Sequence, residues 1–308
     1  MSGEALRSVD LRKTYHSRGA PPVEALMGVS MEVRRGERVA LLGRNGAGKT
    51  TFLKIASTLL RPTSGSVELF GIDVTRSPER ARPYIAVVPQ EGKPFFHLTP
   101  REQIYTYLRA RGFGRETAKS RTEEALDRMG LVDFADRLST TLSGGQRQRT
   151  MVATVIATEA PLLFLDEPTI GMDPFARREV WDSLRTLTQK GSTILLTTHY
   201  LDEAEVLSNR LYIVERGVVL VSGTADELKR SVGGTIKVLI PEGAAQVEQF
   251  RSFGTCVTDG PALTVIVTPS TLGEVMDIVE RSEMTATVGP VTLEEAFLSA
   301  VGRSINED

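Results

Sequence analysis

Two kinds of hydrophobic periodicity alternate along this chain. Leu6 to Leu11 and Val29 to Val33 alternate apolar and polar positions, and Gly19-Ala20-Pro21-Pro22 lies between them. The spacing predicts antiparallel strands joined by a loop. Arg38-Val39-Ala40-Leu41-Leu42 is an apolar run long enough for a buried strand, and Phe52, Ile55, Ala56 and Leu59 then recur at helical spacing. The glycines between them therefore sit in a strand-to-helix turn.

The same reading carries on downstream. The helix stops at Arg61-Pro62-Thr63-Ser64-Gly65, Ser66 to Phe70 alternates as a strand, and Ser77-Pro78-Glu79 opens another helix with a serine cap and an early proline. Ile85-Ala86-Val87-Val88 is a buried strand ending at Pro89-Gln90. From Thr99 to about Leu142 the pattern is helical, with Thr99 and Glu102 at capping-box spacing and Ala125, Leu126 and Met129 on one face. Ser143-Gly144-Gly145-Gln146 breaks it before a helix striped by Met151, Val152, Val155 and Ile156. Two apolar strands follow, Leu162 to Leu165 ending in Asp166-Glu167-Pro168, and Thr193 to Thr198 delivering His199, with a helix over 177–188 between them. Runs without alternation suit a parallel sheet covered on both faces. A helix through Ala204 and Leu207, a hairpin at Arg216-Gly217 and a Thr224–Glu227 capping box come next.

Beyond Ser231-Val232-Gly233-Gly234 the organisation changes. Strand 235–240, helix 245–253, strands 255–258 and 263–267, helix 271–281 and strand 285–288 give a split βαβ, ferredoxin-like order. A last helix is capped by Thr292 with Glu295 at its third position. The expected domains are thus 1–230, with a helical insertion at about 97–160, and a small α+β domain over 231–308. No catalytic constellation falls in the second, which suits regulation, dimer support or partner contact.

Composition narrows the classes. The chain has 308 residues, 41% hydrophobic and 25% charged, enough for two ordinary globular domains. Its net charge of -2 and pI near 6.1 give no electrostatic case for nucleic acid as the main partner. The one cysteine, Cys256, cannot pair within the chain, as expected in a reducing compartment. No apolar run approaches the roughly 20 residues of a membrane-spanning helix, and Met1-Ser2-Gly3-Glu4-Ala5 has no signal character. A cytoplasmic chain is expected, with any membrane role exerted through another polypeptide.

The chemistry starts at Gly43-Arg44-Asn45-Gly46-Ala47-Gly48-Lys49-Thr50-Thr51, which fits the phosphate-loop spacing of glycine, four residues, Gly-Lys-Thr. Glycines let successive backbone N–H groups face one concavity, and the helix N-terminus adds partial positive charge. Lys49 is placed to reach outer phosphates and Thr50 to ligate magnesium. Asp166, at the end of a rigid strand, suits magnesium held through water; Glu167 is placed to accept a proton from water, and His199 to donate to a γ-phosphate. Alone, Glu167 reads as a solvated strand-end carboxylate and His199 as a core histidine; their shared sheet edge favours chemistry. No Asn-Lys-x-Asp sequence occurs, which disfavours a GTPase.

The ordered set Gln90, Leu142-Ser143-Gly144-Gly145-Gln146, Leu162 to Glu167, Asp173 and His199 resembles the ABC ATPase family from about Leu6 to Leu228. The resemblance implies a P-loop NTPase cassette of α/β class, with a mainly parallel sheet, an antiparallel β subdomain and a helical subdomain. It also implies that Tyr15 stacks on adenine, Gln90 senses magnesium and the attacking water, and His199 is the switch histidine. Ser143, Gly144, Gly145 and Gln146 are implied to close over ATP held by the phosphate loop of a second cassette, either another copy or a related subunit. Met172 replaces the leucine of the usual Gly-Leu-Asp-Pro form, and Phe95 to Pro100, in the region that faces the membrane subunit in the family, matches more loosely. The end of the chain, Val291-Thr292-Leu293-Glu294-Glu295-Ala296-Phe297-Leu298, is similar to the tail of drug-resistance and ABC-2-type exporter ATPases. The expectation is an ATP- and magnesium-dependent subunit driving a separate permease from the cytoplasmic face of the membrane. The alternatives are a soluble ABC ATPase of DNA repair or translation and a small-molecule kinase; the second leaves Ser143 to Gln146 unexplained.

Overall fold

The computed structural model describes residues 3–90 and 92–306; Met1 and Ser2, part of the N-terminal stretch read as lacking a signal, lie outside the described residues. The chain divides into two compact units. The first runs to Asn209 and includes Val214–Val219; the second comprises Arg210–Ile213 and the chain from Leu220.

In the first unit, β1 (Glu4–Tyr15) and β2 (Val23–Arg34) pair antiparallel, with Leu6 opposite Val33 and Leu11 opposite Val29. The sequence alternation has its cause here, since Leu6, Leu11, Val29, Met31 and Val33 are buried while Arg7, Asp10, Ser30 and Glu32 face solvent. β3 (Arg38–Leu42) leads through the glycine turn to α1 (Lys49–Ala56). β4 (Ser64–Leu69) returns beside β1, with the short β5 (Ile72–Asp73) at the sheet edge. α2 (Pro78–Ala81) is a single turn; Ser77 makes no side-chain cap because its backbone, at φ -137° and ψ 57°, is off the extended cap conformation.

β6 (Ile85–Val88) precedes the helical insertion of α3 (Pro100–Ala110), α4 (Arg115–Arg128) and α5 (Gly144–Ile156). Both bonds of the Thr99–Glu102 capping box are made. The helical reading to Leu142 is broken at Gly112, which takes φ 90° between α3 and α4, and ends with α4 at Arg128, after which isolated 3-10 turns follow at Val132–Phe134 and Ser139–Thr141.

β7 (Leu162–Asp166), α6 (Pro174–Gln189), β8 (Thr193–Thr198) and α7 (Leu201–Leu207) complete the cassette-like core. β3, β8, β7 and β6 run parallel side by side, with Leu42 opposite Thr198 and Asp166 opposite Thr197. Every residue of β7 and β8 is buried. Parallel pairing puts the carboxyl ends of the four strands along one edge, where β3 delivers the glycine turn, β6 Gln90, β7 Asp166 and Glu167, and β8 His199. β9 (Arg210–Glu215) and β10 (Val218–Gly223) follow, their residues divided between the two units.

The second unit contains α8 (Ala225–Arg230), opened by the closed Thr224–Glu227 capping box. β11 (Ile236–Ile240), β12 (Thr255–Asp259), β13 (Ala262–Val267) and β14 (Thr287–Pro290) form an antiparallel sheet in the order β12-β13-β11-β14. The helix expected at 245–253 is a 3-10 helix over Ala244–Gln249, set by burial of Phe250 rather than by helical periodicity. α9 (Leu272–Arg281) packs Val275 and Val279 onto Val238, Leu263 and Val265. At the start of α10 (Leu293–Asn306), the Glu295 carboxylate accepts from the Thr292 N–H (2.7 Å), the Thr292 hydroxyl (2.6 Å) and Lys237 Nζ (2.6 Å). Burial pushes the Glu295 carboxyl up, but Lys237 and Thr292 outweigh it and hold it below its ordinary value. Lys237→Met is expected to destabilise this unit by about 1–3 kcal/mol, read from the urea midpoint. Because the folded pKa is depressed, the contribution is present above the ordinary glutamate range and is lost as pH falls through the folded value. The acid limb of stability should be shallower in Glu295→Gln. Among the described residues, no helix is long and apolar enough to cross a membrane.

Candidate active site

The turn after β3 is shaped by contacts that exclude side chains. Gly48 caps α1 at φ 104°, where an added Cβ would lie 2.5 Å from the Ala25 carbonyl oxygen; at Gly43 it would lie 2.2 Å from that of Val214. The turn curls around Lys49, whose Nζ donates to the carbonyls of Gly43 (2.7 Å) and Arg44 (3.0 Å). Burial lowers the Lys49 pKa, while Glu167, Asp166 and Glu215 act to raise it. Residues 45–51, with Ala25, Gln90 and Glu167, line an open cleft of about 210 Å³. Gly43 is buried beneath the turn and Arg44 is exposed on it.

Three elements bring oxygens together at one end of this cleft. The Thr50 hydroxyl lies 3.1 Å from Asp166 Oδ1 and 3.3 Å from Gln90 Oε1. Thr197 donates to the same Asp166 oxygen at 2.5 Å. Burial raises the Asp166 carboxyl above its ordinary value, against the lowering effect of the Thr197 and Thr50 hydroxyls. Among the described residues, no group of three or more His, Cys, Asp or Glu side chains is arranged to hold a metal. A hydroxyl, an amide oxygen and one carboxylate nonetheless fit magnesium, which binds few protein oxygens and completes its shell with water and phosphate.

Glu167 stands at φ 50°, a left-handed conformation that costs a non-glycine residue about 1–2 kcal/mol. The surroundings hold it there. Its N–H lies 3.1 Å from both the carbonyl and the hydroxyl oxygen of Thr197, and its carbonyl accepts from the Ile170 N–H at 3.3 Å. Gln148 Nε2, from α5, donates to the carbonyls of Pro168 (3.2 Å) and Glu167 (3.5 Å). The Glu167 side chain is turned into the cleft, with Oε2 3.3 Å from His199 Nδ1. Thus Gly43 to Thr51, Gln90, Asp166, Glu167 and His199 share one region, as the strand-end argument expects.

Tyr15 and the Ser143 segment are placed differently. Tyr15, at the end of β1, has its hydroxyl 3.4 Å from Thr51 Oγ1 and Lys13 Nζ 5.3 Å from its ring, beside the cleft rather than lining it. Ser143 caps α5: its hydroxyl accepts from the Gln146 N–H at 3.2 Å, and its own N–H donates to Gln146 Oε1 at 2.9 Å. Ser143 and Gly144 are exposed, Gly145 and Gln146 half-buried, and none of the four lines the chain's own cleft. Thr197 and Gln148, which no motif in the sequence singles out, support the site from behind. A hydroxyl directly after the apolar run Ile194-Leu195-Leu196 of a fully buried strand is the signal for Thr197; for Gln148 the signal is a polar residue one helical turn before Val152, on the buried face of α5.

The parallel sheet edge, the phosphate loop and the Ser143 helix start define a phosphate-loop ATPase of the cassette type. Residues 26–170 match the family model described as ABC transporter. The chain is 35% identical over 315 residues to the daunorubicin/doxorubicin resistance ATP-binding protein DrrA of Streptomyces peucetius, covering 98% of this chain and 94% of that protein. It is 34% identical over 284 residues to the Nod factor export ATP-binding protein I of Burkholderia orbicola, covering 91% and 93%. A solved ATP-binding subunit of an ABC transporter superposes with TM-score 0.66 at 31% identity, covering 74% of this chain and 93% of that one. A dimeric cassette in a post-hydrolysis state with ADP and Pi gives TM-score 0.67 at 27% identity, covering 71% and 98%. The chain belongs to the ABC transporter family, as an ATP-binding subunit with ATPase activity.

Proposed function

We propose that the chain energises export through a membrane-spanning subunit on a separate polypeptide, to which it binds at the cytoplasmic face. The observation that carries this reading is the extent of the similarity to drug-resistance and Nod factor export subunits, which covers 98% and 91% of the chain. That span takes in both compact units, where the solved cassettes cover 71–74% of the chain. Residues 1–230 are assigned to nucleotide chemistry, and 231–308 to an accessory, ferredoxin-like domain. No nucleic-acid partner is part of the account.

In this reading the backbone N–H groups of residues 43–51 and the start of α1 hold the ATP phosphates, and Lys49 turns from the Gly43 and Arg44 carbonyls to the outer ones. Thr50, Gln90 and Asp166 would hold magnesium, which when bound neutralises phosphate charge. Glu167 accepts a proton from the attacking water, Gln90 helps orient that water, and His199 donates to the γ-phosphate. The Glu167–His199 contact of 3.3 Å keeps base and donor on one side of the cleft. Ser143, Gly144, Gly145 and Gln146 present the start of α5 to ATP held by a second cassette, in keeping with their place outside their own chain's cleft. The working unit is a cassette dimer with two nucleotides between the chains.

Tyr15 stacks on the adenine. Tyr15→Ala is expected to weaken ATP binding by about 2–10-fold with turnover at saturation little changed, the size of one aromatic contact; titration with a fluorescent ATP analogue measures it. The transport reading is tested by asking whether a multi-span membrane protein is encoded beside the chain and co-purifies with it. ATPase stimulation by that partner supports export, and stimulation by DNA or ribosomes instead sinks it.

A further inference from the structure

Glu203, in the first turn of α7, is fully buried and takes no part in the steps above. Its Oε1 accepts from the Thr169 hydroxyl at 2.7 Å and from Trp181 Nε1 at 3.2 Å. Its Oε2 accepts from the Thr198 hydroxyl at 2.5 Å. The three donors come from three places: the segment after Glu167, helix α6, and the end of β8. Thr169 stands two residues after Glu167, and Thr198 immediately before His199. The Thr198 oxygen in turn accepts from the Tyr200 N–H at 3.0 Å, so the turn carrying His199 is fixed from both sides.

Arg177 adds a second tie between the same two segments. Its Nε donates to the Met172 carbonyl at 3.3 Å, and its guanidinium lies 4.2 Å from the centre of the Tyr200 ring. The Tyr200 ring is itself 4.1 Å from that of His199. A carboxylate at the depth of Glu203 is costly to bury, and burial pushes its carboxyl up although three side chains donate to it. A leucine or methionine would fill the volume without that cost. What an apolar residue cannot do is bind Thr169 and Thr198 at once.

We propose that Glu203 is a positioning residue that joins the 168–173 segment to the His199 turn, so that a displacement of that segment reaches the Glu167–His199 pair through one carboxylate. The inference rests on the catalytic reading of Glu167 and His199 and adds to it the element that sets their relative position. Glu203→Gln keeps the volume but puts an amide NH₂ where one acceptor oxygen stood, against a Thr198 hydroxyl that now donates there.

The test is a set of kinetic cycles on the full chain. Glu203→Gln is expected to lower kcat for ATP hydrolysis about tenfold, because a displaced His199 makes a weaker hydrogen bond to the γ-phosphate in the transition state. Affinity for a non-hydrolysed ATP analogue should stay within about twofold, since no group on the phosphates has changed. Thr198→Val should reproduce the loss and Thr198→Ser should restore turnover. In a His199→Ala background, Glu203→Gln should cost nothing further. Unchanged kcat in Glu203→Gln, or losses that multiply in the double variant, overturn the inference. Where Glu203→Gln does not fold, the cycle of Thr169→Val with His199→Ala decides by the same criterion. A wild-type chain that binds ATP without hydrolysing it overturns the catalytic reading and this inference with it, whereas a multiplicative cycle in an active enzyme overturns the inference alone.

Discussion

Replacing Glu167 by glutamine is expected to lower ATP turnover by about 10²–10⁴-fold, the range of a lost general base, while ATP binding persists. The reason is local. Glutamine keeps the shape of the side chain and a polar group near His199 Nδ1, 3.3 Å away in the parent, but cannot take the proton. The backbone at φ 50° is held by Thr197, Ile170 and Gln148 through main-chain groups, none of which the substitution touches. Bound ATP then persists between two cassettes, so the variant should run as a dimer with ATP and magnesium and as a monomer without them. Phosphate release and sedimentation measured on one preparation check both halves. A Glu167→Gln chain that hydrolyses ATP at the parent rate as a dilute monomer contradicts the account.

Lys49→Ala is expected to act on binding. Each charge-assisted hydrogen bond that Lys49 makes to the outer phosphates contributes about 1.5–3 kcal/mol, so affinity for ATP should fall by about 10–150-fold or more. Folding should be retained. Of the two carbonyls that Lys49 satisfies, that of Arg44 belongs to an exposed residue, where water can replace the ammonium, and that of Gly43 is buried, so the loss of stability is limited to one hydrogen bond, about 1–3 kcal/mol. Isothermal titration with ATP, beside a thermal melt of the free chain, separates the two effects. A large loss of Tm with unchanged affinity would assign Lys49 to the fold instead of the ligand.

Much of this architecture is legible in the sequence because single physical constraints dominate. Alternation along β1 and β2 follows from one buried face, and the unbroken apolar runs of β7 and β8 follow from burial on both. The Thr99 and Thr224 helix starts are written in four-residue capping boxes, both of them closed, and the break at Ser143–Gln146 closes as a third. The strand-end residues Gln90, Asp166, Glu167 and His199 meet because parallel register leaves them no other place. Residues whose role depends on long-range contacts left little trace. Glu203 sits in Leu201-Asp202-Glu203-Ala204-Glu205, where acids look like an exposed helix face. Yet the spacing that turns Ala204 and Leu207 inward turns Glu203 inward too. Gln148 and Thr197 are similar cases, polar side chains spent on the backbone of the Glu167 turn. The sequence predicts a helix over 245–253 where the chain forms a 3-10 segment over 244–249, because tertiary burial of Phe250, not local periodicity, fixes it.

The central claim is that each cleft is half of a site, completed by the Ser143 segment of the other cassette. Its most direct test mixes two differently tagged copies of the chain at an ATP concentration that saturates the unsubstituted chain but leaves the weakened loop empty: Lys49→Ala, with a broken loop and an intact Ser143 segment, and Ser143→Arg, with the reverse. In a mixed dimer isolated through both tags, one of the two sites pairs an intact loop with an intact Ser143 segment, and ATP hydrolysis is predicted to return. A mixed dimer as inactive as either parent, or a Ser143→Arg chain with full activity alone, would contradict the claim.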